Sequence, residues 1–417
     1  MLERQDWVDI RFLGERDYYN SKPPLNVWLI AASFATLGQT LFALRLPSAT
    51  AAWVTVALLI VWGRRHLGNT VAVVAGLVLA TSFGFLYVHS GRTANTDALF
   101  TLMLTLTALV LMESRERPGR LRWCGPILAS VFLLRGMAVL MPALMIVGVG
   151  LARRELVTRA RAYGTVAVIA LLPILAWGIA RWLVDGPLFF VALIRNDLIG
   201  VTTEILDNHA GGWLFYPAVL LKYHYDWALA ALATFALARR YGHPCADVRL
   251  VLLVWGLVTV GVPTLMATKT SWYLTSFYPC FAILAALAIA PALSVEWHQA
   301  RGKAAVAVIV LAVLTAEGRL VWRSVMHRDL SRSIQGALLS NAPAIQGHRV
   351  HKRKWDHADR FVVERMAGGR VITSDTLEEA IAASVADDFV VWHDEVDHPS
   401  LALAGRSRRQ FLYRRTD

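Results

Sequence analysis

Cysteine and charge are both scarce in this chain of 417 residues. Its three cysteines, Cys124, Cys245 and Cys280, lie far apart in or beside apolar segments. We therefore interpret them as packed or idle thiols rather than as a disulfide or metal framework. Charged residues make up only 17% of the chain, compared with about 25% in soluble domains. The sequence contains no P-loop and no GxGxxG fingerprint, and the polar residues 1–20 contain no apolar core of a cleavable signal peptide.

Long apolar runs are abundant instead. Hydrophobic residues make up 56% of the chain, and the mean hydropathy is +0.47. A membrane-spanning helix needs roughly 20 mostly apolar residues, and several stretches are long enough. The predicted spans are 46–62, 69–89, 96–112, 160–184, 213–238, 248–268, 272–291 and 303–322. These runs predict an all-α polytopic membrane protein.

Two more apolar segments complete the predicted bundle. Segment 122–152 is too long for one upright helix, and Arg135 and Gly136 interrupt its centre. We expect two helices that meet near one membrane face, or a helical hairpin. Segment 25–44 is a further apolar helix whose depth in the membrane is open. Together these segments predict about nine to eleven membrane helices, one of them juxtamembrane.

The basic residues predict which loops face the cytoplasm. A net charge of +12 in a soluble protein would suggest nucleic acid, but here we expect no nucleic-acid partner, because most arginines lie in short loops where they set topology and meet anionic membrane lipids. One set of alternating loops holds 15 Lys or Arg and the other holds 4. The positive-inside bias therefore puts the first set in the cytoplasm. That set is 63–66, 113–122, 152–161, 238–249 and 300–303.

The C-terminal part has a different pattern. Segment 368–375 alternates like a strand, 376–386 reads as a helix, and 387–395 reads as a second strand. We therefore predict three domains. Residues 1–45 form an outer loop and juxtamembrane helix, 46–322 form the transmembrane domain, and 323–417 form a small extracytoplasmic α/β domain of a plasma-membrane protein.

The outward loops carry the unusual polar residues. Asp97 lies where a helix re-enters the membrane, Arg135 interrupts a long apolar segment, and His209 lies in the longest outer loop. Lys269 and Tyr273 come from a third outer segment. Ionisable residues at membrane depth are costly and mark functional cavities. Solvated loop residues, helix caps and aromatic-belt anchors are the alternative interpretations.

The stretch YYNSKPPLNVW raises a separate question about Lys22. If segment 25–44 spans the bilayer, Lys22 is cytoplasmic and opposite the other polar groups. If the segment lies along the outer interface, Lys22 joins them. Pro23 and Pro24 stiffen the backbone after Lys22 in either case. The residues alone leave both placements open, and a snorkelling lysine before an interfacial helix is the simplest structural role.

The order of several motifs resembles one family. The series FLGERDYYNSKPPLNVWL, ALRLPSATAA, GRRHLGN, ATSFGFLYVHSGRTANTDALFTL, FLLRGMAVLMPAL and KTSWYLTSFYPCFAILAAL is similar to GT-C glycosyltransferases, in the superfamily of protein mannosyltransferases and aminoarabinose lipid A transferases. The resemblance covers about residues 5–295. It implies a transferase that moves a sugar from a polyprenyl-phosphate donor to a lipid, glycan or protein acceptor at the outer face of a bacterial inner membrane.

The resemblance also implies roles for individual residues. The family's KPPL helix is juxtamembrane, which places Lys22 outside, where its ammonium would stabilise the phosphate left by the donor. Asp97 matches an outer aspartate on the acceptor side. Tyr19, Arg135, His209, Lys269 and Tyr273 are the other candidate substrate-binding residues.

Three departures from the family pattern affect these expectations. Ser21 replaces the acid that usually precedes KPPL, so a divalent metal held with His209 is in doubt. Arg135 stands where the family usually has Lys, which retains the charge but changes the geometry. The family also begins with a helix followed by an aspartate, the expected general base, and this chain starts after that point. We expect a start codon placed too far downstream, a fragment, or an inactive protein, in which case a non-catalytic membrane partner or a transporter of lipid-linked sugars is the alternative function.

Overall fold

The computed structural model describes residues 6–12, 15–18, 22–206, 209–237, 246–293, 300–327, 333–355, 357–407 and 410–417. The chain divides into two compact units, Met1–Gly318 and Arg319–Asp417. The predicted boundaries at residues 45 and 322 fall inside helices, so the three-domain division remains a prediction.

The first unit is helical. Its α-helices are α1 (Leu25–Leu37), α2 (Leu41–His66), α3 (Asn69–Ala80), α4 (Phe83–Tyr87), α5 (Asp97–Ser114), α6 (Cys124–Arg135), α7 (Leu140–Ala152), α8 (Glu155–Thr158), α9 (Ala160–Asp185), α10 (Leu188–Ile194), α11 (Val201–Thr203), α12 (Phe215–Leu237), α13 (Ala246–Gly256), α14 (Val262–Leu265) and α15 (Tyr278–Leu293). Helix α16 (Ala300–His327) begins in the first unit and ends in the second. Two-residue strands β1 (Arg11–Phe12) and β2 (Glu15–Arg16) form an antiparallel pair before α1.

Shorter helical turns join or extend these helices. Turns of 3-10 helix cover Pro118–Trp123, Gly136–Val139 and Ser271–Phe277, and π-helical turns cover Arg195–Gly200 and Leu257–Gly261.

Six helical segments in the described residues are long and apolar enough to cross a membrane. They are Leu41–His66, Asp97–Ser114, Pro118–Ala152, Ala160–Asp185, Ala246–Leu265 and Ser271–Ala290. Large apolar side chains on α9 are exposed, including Leu172 at 64% and Leu183 at 80%, as expected of a surface that faces lipid. The prediction of a polytopic, all-α membrane protein is confirmed.

A glycine and capping hydroxyl residues divide two of the predicted continuous segments. Within 25–44, Gly38 adopts φ +75°, which favours glycine, and ends α1. The Thr40 side chain then caps α2 by accepting a hydrogen bond from the Ala43 amide. Within 69–89, the helix ends at Ala80, and Ser82 caps α4 by accepting from the Phe85 amide. The predictions of single helices over 25–44 and 69–89 are therefore wrong.

The predicted interruption of segment 122–152 is confirmed. Helix α6 ends at Arg135, and Gly136 follows with φ +54° and ψ −118°. An L side chain rarely adopts this conformation. A 3-10 turn over Gly136–Val139 then leads into α7. Arg135 is consequently the last residue of one helix, at a break in an apolar segment.

The core of the first unit lies where α3 packs between α2 and α15, and where α6 packs against α9. Small buried residues allow the close approach. Gly76 of α3 lies against Ile60, and a Cβ on Gly84 would lie only 2.5 Å from the Tyr278 hydroxyl. This packing fixes the helix ends from which the charged side chains project.

The second unit contains a mixed five-stranded sheet in the order β4-β3-β5-β7-β6. Its strands are β3 (Arg349–Lys352), β4 (Arg370–Thr373), β5 (Phe389–Trp392), β6 (Leu401–Arg406) and β7 (Phe411–Arg415), and its helices are α17 (Ile334–Ser340), α18 (Ala342–Ile345), α19 (His357–Phe361) and α20 (Leu377–Ala383). Strand β3 is parallel to β4 and β5, whereas β7 is antiparallel to β5 and β6. The predicted strand–helix–strand unit corresponds to β4, α20 and β5 and is confirmed.

Candidate functional site

Lys22 lies directly before α1, and the contacts of α1 fix its position. Pro23 and Pro24 are buried, and Asn26 donates a hydrogen bond to the Ala94 carbonyl at 3.1 Å. Helix α1 has 13 residues, which corresponds to a length of about 20 Å. It is thus too short to cross a hydrocarbon core of about 30 Å upright. The segment that follows Lys22 therefore does not carry it across the bilayer.

The charged neighbours of Lys22 answer the question left open by the sequence. Burial lowers the pKa of Lys22, while the nearby carboxylates of Asp197 and Asp97 raise it and the Arg135 guanidinium lowers it. Pro23, the residue after Lys22, has its Cδ 3.5 Å from the position that a Cβ on Gly136 would occupy. Because Gly136 directly follows Arg135, Lys22 lies at the same end of the helical unit as Arg135 and its partner Asp97. Four charged side chains from four separate chain segments thus converge there.

Arg135 and Asp97 form the ion pair of this group. The Arg135 Nη1 donates to the Asp97 Oδ1 at 2.5 Å, and the two side chains are only 15% and 7% exposed. The Arg135 guanidinium also lies over the rings of Phe100, at 5.2 Å, and Tyr273, at 5.7 Å. The last residue of α6, the start of α5 and the 3-10 turn over Ser271–Phe277 are therefore held together by one guanidinium.

Asp197 is a member of this group that the sequence interpretation missed. It lies in the π-helical turn Arg195–Gly200, and such turns occur frequently at functional sites. Burial raises the pKa of Asp197, while the cations of Lys22 and Arg135 lower it. Its Oδ2 lies 3.4 Å from the position that a Cβ on Gly136 would occupy. The sequence feature that could have identified Asp197 is an acidic residue in the longest outer loop, which begins with RNDLIG.

His209 lies in an aromatic cluster beside the ion pair. His89 stacks on Trp272 at 4.0 Å between ring centroids, and His209 meets the edge of the same indole at 5.3 Å. Asn95 shares a hydrogen bond of 2.7 Å with His89 Nδ1. Burial lowers the pKa of His89, Asp97 raises it, and Arg135 and His209 lower it. The cluster is therefore within electrostatic reach of the ion pair, and His89, with φ +54°, is a second residue that sequence analysis missed.

The remaining candidates differ in what they contact. Lys269 is buried, its Nζ donates to the Met266 carbonyl at 2.5 Å, and its amide donates to the His209 carbonyl at 2.9 Å. These contacts connect Lys269 to the loop that carries His209. Tyr273 contacts Arg135, as described above. Tyr19 lies outside the described residues.

The possible metal site of the sequence interpretation is not supported by the arrangement of ligands. Among the residues that the structure describes, no three His, Cys, Asp or Glu side chains are grouped closely enough to hold a metal ion. The His209 ring meets the edge of the Trp272 indole, and Ser21 lies outside the described ranges. No set of metal ligands is therefore present in the part of the chain that the structure describes.

These features define a class of protein. It is a multi-pass helical membrane protein in which partly buried charges converge at one end of the helical bundle. The family model described as dolichyl-phosphate-mannose-protein mannosyltransferase matches residues 21–179. An undecaprenyl phosphate-alpha-4-amino-4-deoxy-L-arabinose arabinosyl transferase of Pseudomonas savastanoi pv. phaseolicola is 30% identical over 328 residues, covering 77% of this chain and 60% of that protein. The protein of the same name from Aeromonas salmonicida is 26% identical and is covered over 67% of its length.

Solved structures give the same fold. The crystal structure of ArnT from Cupriavidus metallidurans bound to undecaprenyl phosphate superposes with a TM-score of 0.71 at 15% identity, covering 99% of this chain and 91% of that one. An apo archaeal oligosaccharyltransferase from Archaeoglobus fulgidus gives a TM-score of 0.53 at 12% identity, covering 91% of this chain and 62% of that one. The chain therefore shares its fold with ArnT and resembles, in sequence, the aminoarabinose transferases of the GT-C glycosyltransferase superfamily. It spans about half to two thirds of the length of the curated relatives described above and others of the same name.

Proposed function

We propose that this protein transfers a sugar from a polyprenyl-phosphate donor to an acceptor hydroxyl at the outer face of the bacterial inner membrane. The observation that carries the proposal is the convergence of Lys22 and Arg135 with Asp97 and Asp197 beside the short helix α1. Two partly buried cations close together form a site for an anion with more than one charge, such as a phosphate monoester. The names of the relatives, which contain undecaprenyl phosphate and an aminoarabinose, support the same donor class.

The charges suit the reaction in which the donor phosphate leaves. The bond between the sugar C1 and the phosphate oxygen breaks while the acceptor oxygen bonds to C1 from the opposite face. The bonding electrons go to the phosphate, and the acceptor hydroxyl gives up its proton to water at the outer face. Lys22 and Arg135 stabilise the charge that grows on the leaving phosphate. Within the protein, Asp97 and Asp197 balance these cations.

The acceptor side of the site is assigned to Asp97 and the residues around it. The Asp97 carboxylate lies at the start of α5 beside Arg135 and within electrostatic reach of the aromatic cluster of His89, Trp272 and His209. A carboxylate in this place orients an acceptor hydroxyl, and aromatic rings suit the faces of a sugar. The acceptor class is a lipid, glycan or protein hydroxyl, with a lipid A-type glycolipid as the acceptor implied by the family resemblance.

The proposed membrane topology is based on the distribution of arginine residues among the loops. The arginine-rich loops lie in the cytoplasm, so the charged group of Lys22 and Arg135 and the C-terminal unit are extracytoplasmic. Helix α1, too short to span the bilayer, lies along the outer interface and holds Lys22 at the level of the lipid headgroups.

The test follows the release of radiolabelled sugar from undecaprenyl-phosphate aminoarabinose and related donors by the full chain in membranes. We expect turnover by the wild type that Lys22→Gln reduces by at least about a hundredfold, since one electrostatic contact to a developing oxyanion contributes on that scale. Asp97→Asn should cost about a hundredfold as well, because a misplaced acceptor loses rate on that scale. Lys303→Gln is the matched control, because Lys303 is exposed at the start of α16, far along the chain from these charges. Absence of turnover from every donor by a folded wild type that binds another glycosyltransferase would contradict the proposal and favour a non-catalytic partner.

A further inference from the structure

A second group of charged residues lies at the opposite end of α5 from Asp97. Helix α5 has 18 residues, so its last turn is about 26 Å from its first. A cavity of about 230 Å³ lies there, between the last turn of α2 and the end of α5. It is lined by Arg65, His66, Glu113, Glu116, Arg117 and Arg120. This charged cavity has no part in the proposed transfer reaction.

An apolar groove of about 370 Å³ continues from the charged cavity along α2 and α5. The two spaces share Arg65, Glu113 and Arg120. The rest of the groove is lined by apolar and aromatic side chains: Leu58, Val61, Trp62, Leu106, Leu109, Val110 and Trp123. Both helices are long and apolar enough to span a membrane, so this groove opens at the depth of the lipid chains and its charged end lies at the level of the headgroups.

Three donors at this place have no protein partner among the described residues. Glu113 pairs with Arg120 and with His66, whereas Arg65 and Arg117 make no ion pair there. Trp62 is only 6% exposed, and its Nε1 is buried with no hydrogen-bond partner in the described part of the chain. A buried N–H without an acceptor is destabilising. The buried Trp62 N–H therefore points to an acceptor at the junction of cavity and groove, and the exposed Arg65 and Arg117 side chains are free to meet an anionic group there.

We propose that the cavity and groove bind one anionic phospholipid. Its phosphate contacts Arg65 and Arg117, an ester oxygen accepts from Trp62 Nε1, and one acyl chain lies along the groove between α2 and α5. A free phosphate would leave the apolar groove without an occupant. A zwitterionic lipid carries its own cation, which the arginines disfavour. Basic pockets between membrane helices on the cytoplasmic side bind anionic headgroups in this way, and these arginines lie in the loops that the positive-inside bias assigns to that side.

The test measures lipids bound to the purified full chain by native mass spectrometry in detergent. We expect phosphatidylglycerol to bind more tightly than phosphatidylcholine. Each arginine near an anionic headgroup contributes roughly fivefold, so Arg65→Gln/Arg117→Gln weakens phosphatidylglycerol binding about 25-fold. The control Arg154→Gln/Arg161→Gln removes the same charge from exposed arginines of another loop in the same arginine-rich set and retains wild-type binding.

Two further measurements separate this site from general charge attraction and from the donor site. Trp62→Phe keeps the ring but removes the N–H, and it should weaken binding roughly fivefold, the scale of one hydrogen bond. Lys22→Gln should leave phosphatidylglycerol binding unchanged. Three results would each overturn the proposal. They are equal losses of phosphatidylglycerol affinity in the two double variants, equal binding of the two lipids by the wild type, and displacement of the lipid by millimolar inorganic phosphate.

Discussion

Gly136 offers the sharpest test of how the charged group is held in place, through the substitution Gly136→Ala. The residue has φ +54° and ψ −118°, and a non-glycine residue in such a region costs about 1–3 kcal/mol. A Cβ there would lie 2.5 Å from Leu193 Cδ1, 3.4 Å from Asp197 Oδ2 and 3.5 Å from Pro23 Cδ. The contact with Leu193 adds about 1–3 kcal/mol of overpacking. The expected loss in the free energy of unfolding is therefore roughly 2–6 kcal/mol.

Two assays measure the effect of Gly136→Ala. Thermal unfolding of the purified protein, followed by tryptophan fluorescence, should show a midpoint lower by several degrees, at roughly 2 °C for each kcal/mol in a large chain. Affinity for a polyprenyl monophosphate should also fall, because Pro23 positions Lys22 and Asp197 is displaced. The control is Gly164→Ala in α9, where a Cβ meets nothing within 4 Å and stability should rise by up to about 1 kcal/mol. A Gly136→Ala variant with wild-type midpoint and affinity would refute this account of the turn.

Three other predictions follow from the charged side chains. Asp97→Asn leaves the Arg135 guanidinium buried without its carboxylate, so the free energy of unfolding should fall by about 3–5 kcal/mol; an unchanged unfolding midpoint would contradict the pairing. Arg181 lies 2.6 Å from Asp9 and 2.5 Å from Asp185, and both carboxylates are fully buried. Arg181→Gln should therefore lower the unfolding midpoint, whereas Arg161→Gln at an exposed position of the same helix should not. Burial lowers the pKa of Lys22, and sugar transfer needs the protonated ammonium. Transfer should therefore occur below this pKa and be lost above it, at a pH lower than the ordinary pKa of lysine. Lys22→Arg, which stays protonated, should move this loss to higher pH, and an unmoved profile would exclude Lys22 as the titrating group.

Much of the helical unit was predictable from composition, because an apolar run of about 20 residues has few stable alternatives in a membrane. The break after Arg135 was also visible, since an arginine and a glycine in mid-segment oppose a continuous helix. The breaks at Gly38 and Ser82 were not predicted. One glycine or a few hydroxyl residues hardly change the hydropathy of a window, although they end one helix and cap the next.

The candidate site was only partly accessible from sequence. Lys22, Asp97 and Arg135 stand out because charges are rare beside apolar runs. Asp197 and His89 do not stand out in the sequence, because both lie in polar loops where an acidic residue or a histidine is common. Their positions depend on how a π-helical turn and a residue at positive φ direct the loops toward Arg135, and tertiary packing sets both of these features. The position of α1 relative to the membrane was also not predictable, because it depends on the end of this helix at Gly38, which makes α1 too short to span the bilayer.

Binding of a polyprenyl monophosphate to the purified chain tests the central claim most directly, since it depends on the phosphate site and not on the acceptor. The measurement is made with excess phosphatidylglycerol, so that the groove between α2 and α5 is occupied. The account predicts saturable binding by the wild type and by Lys303→Gln, and an affinity at least about tenfold lower for Lys22→Gln, the scale of one hydrogen bond to a charged group. Equal affinity of Lys22→Gln and the wild type would contradict it.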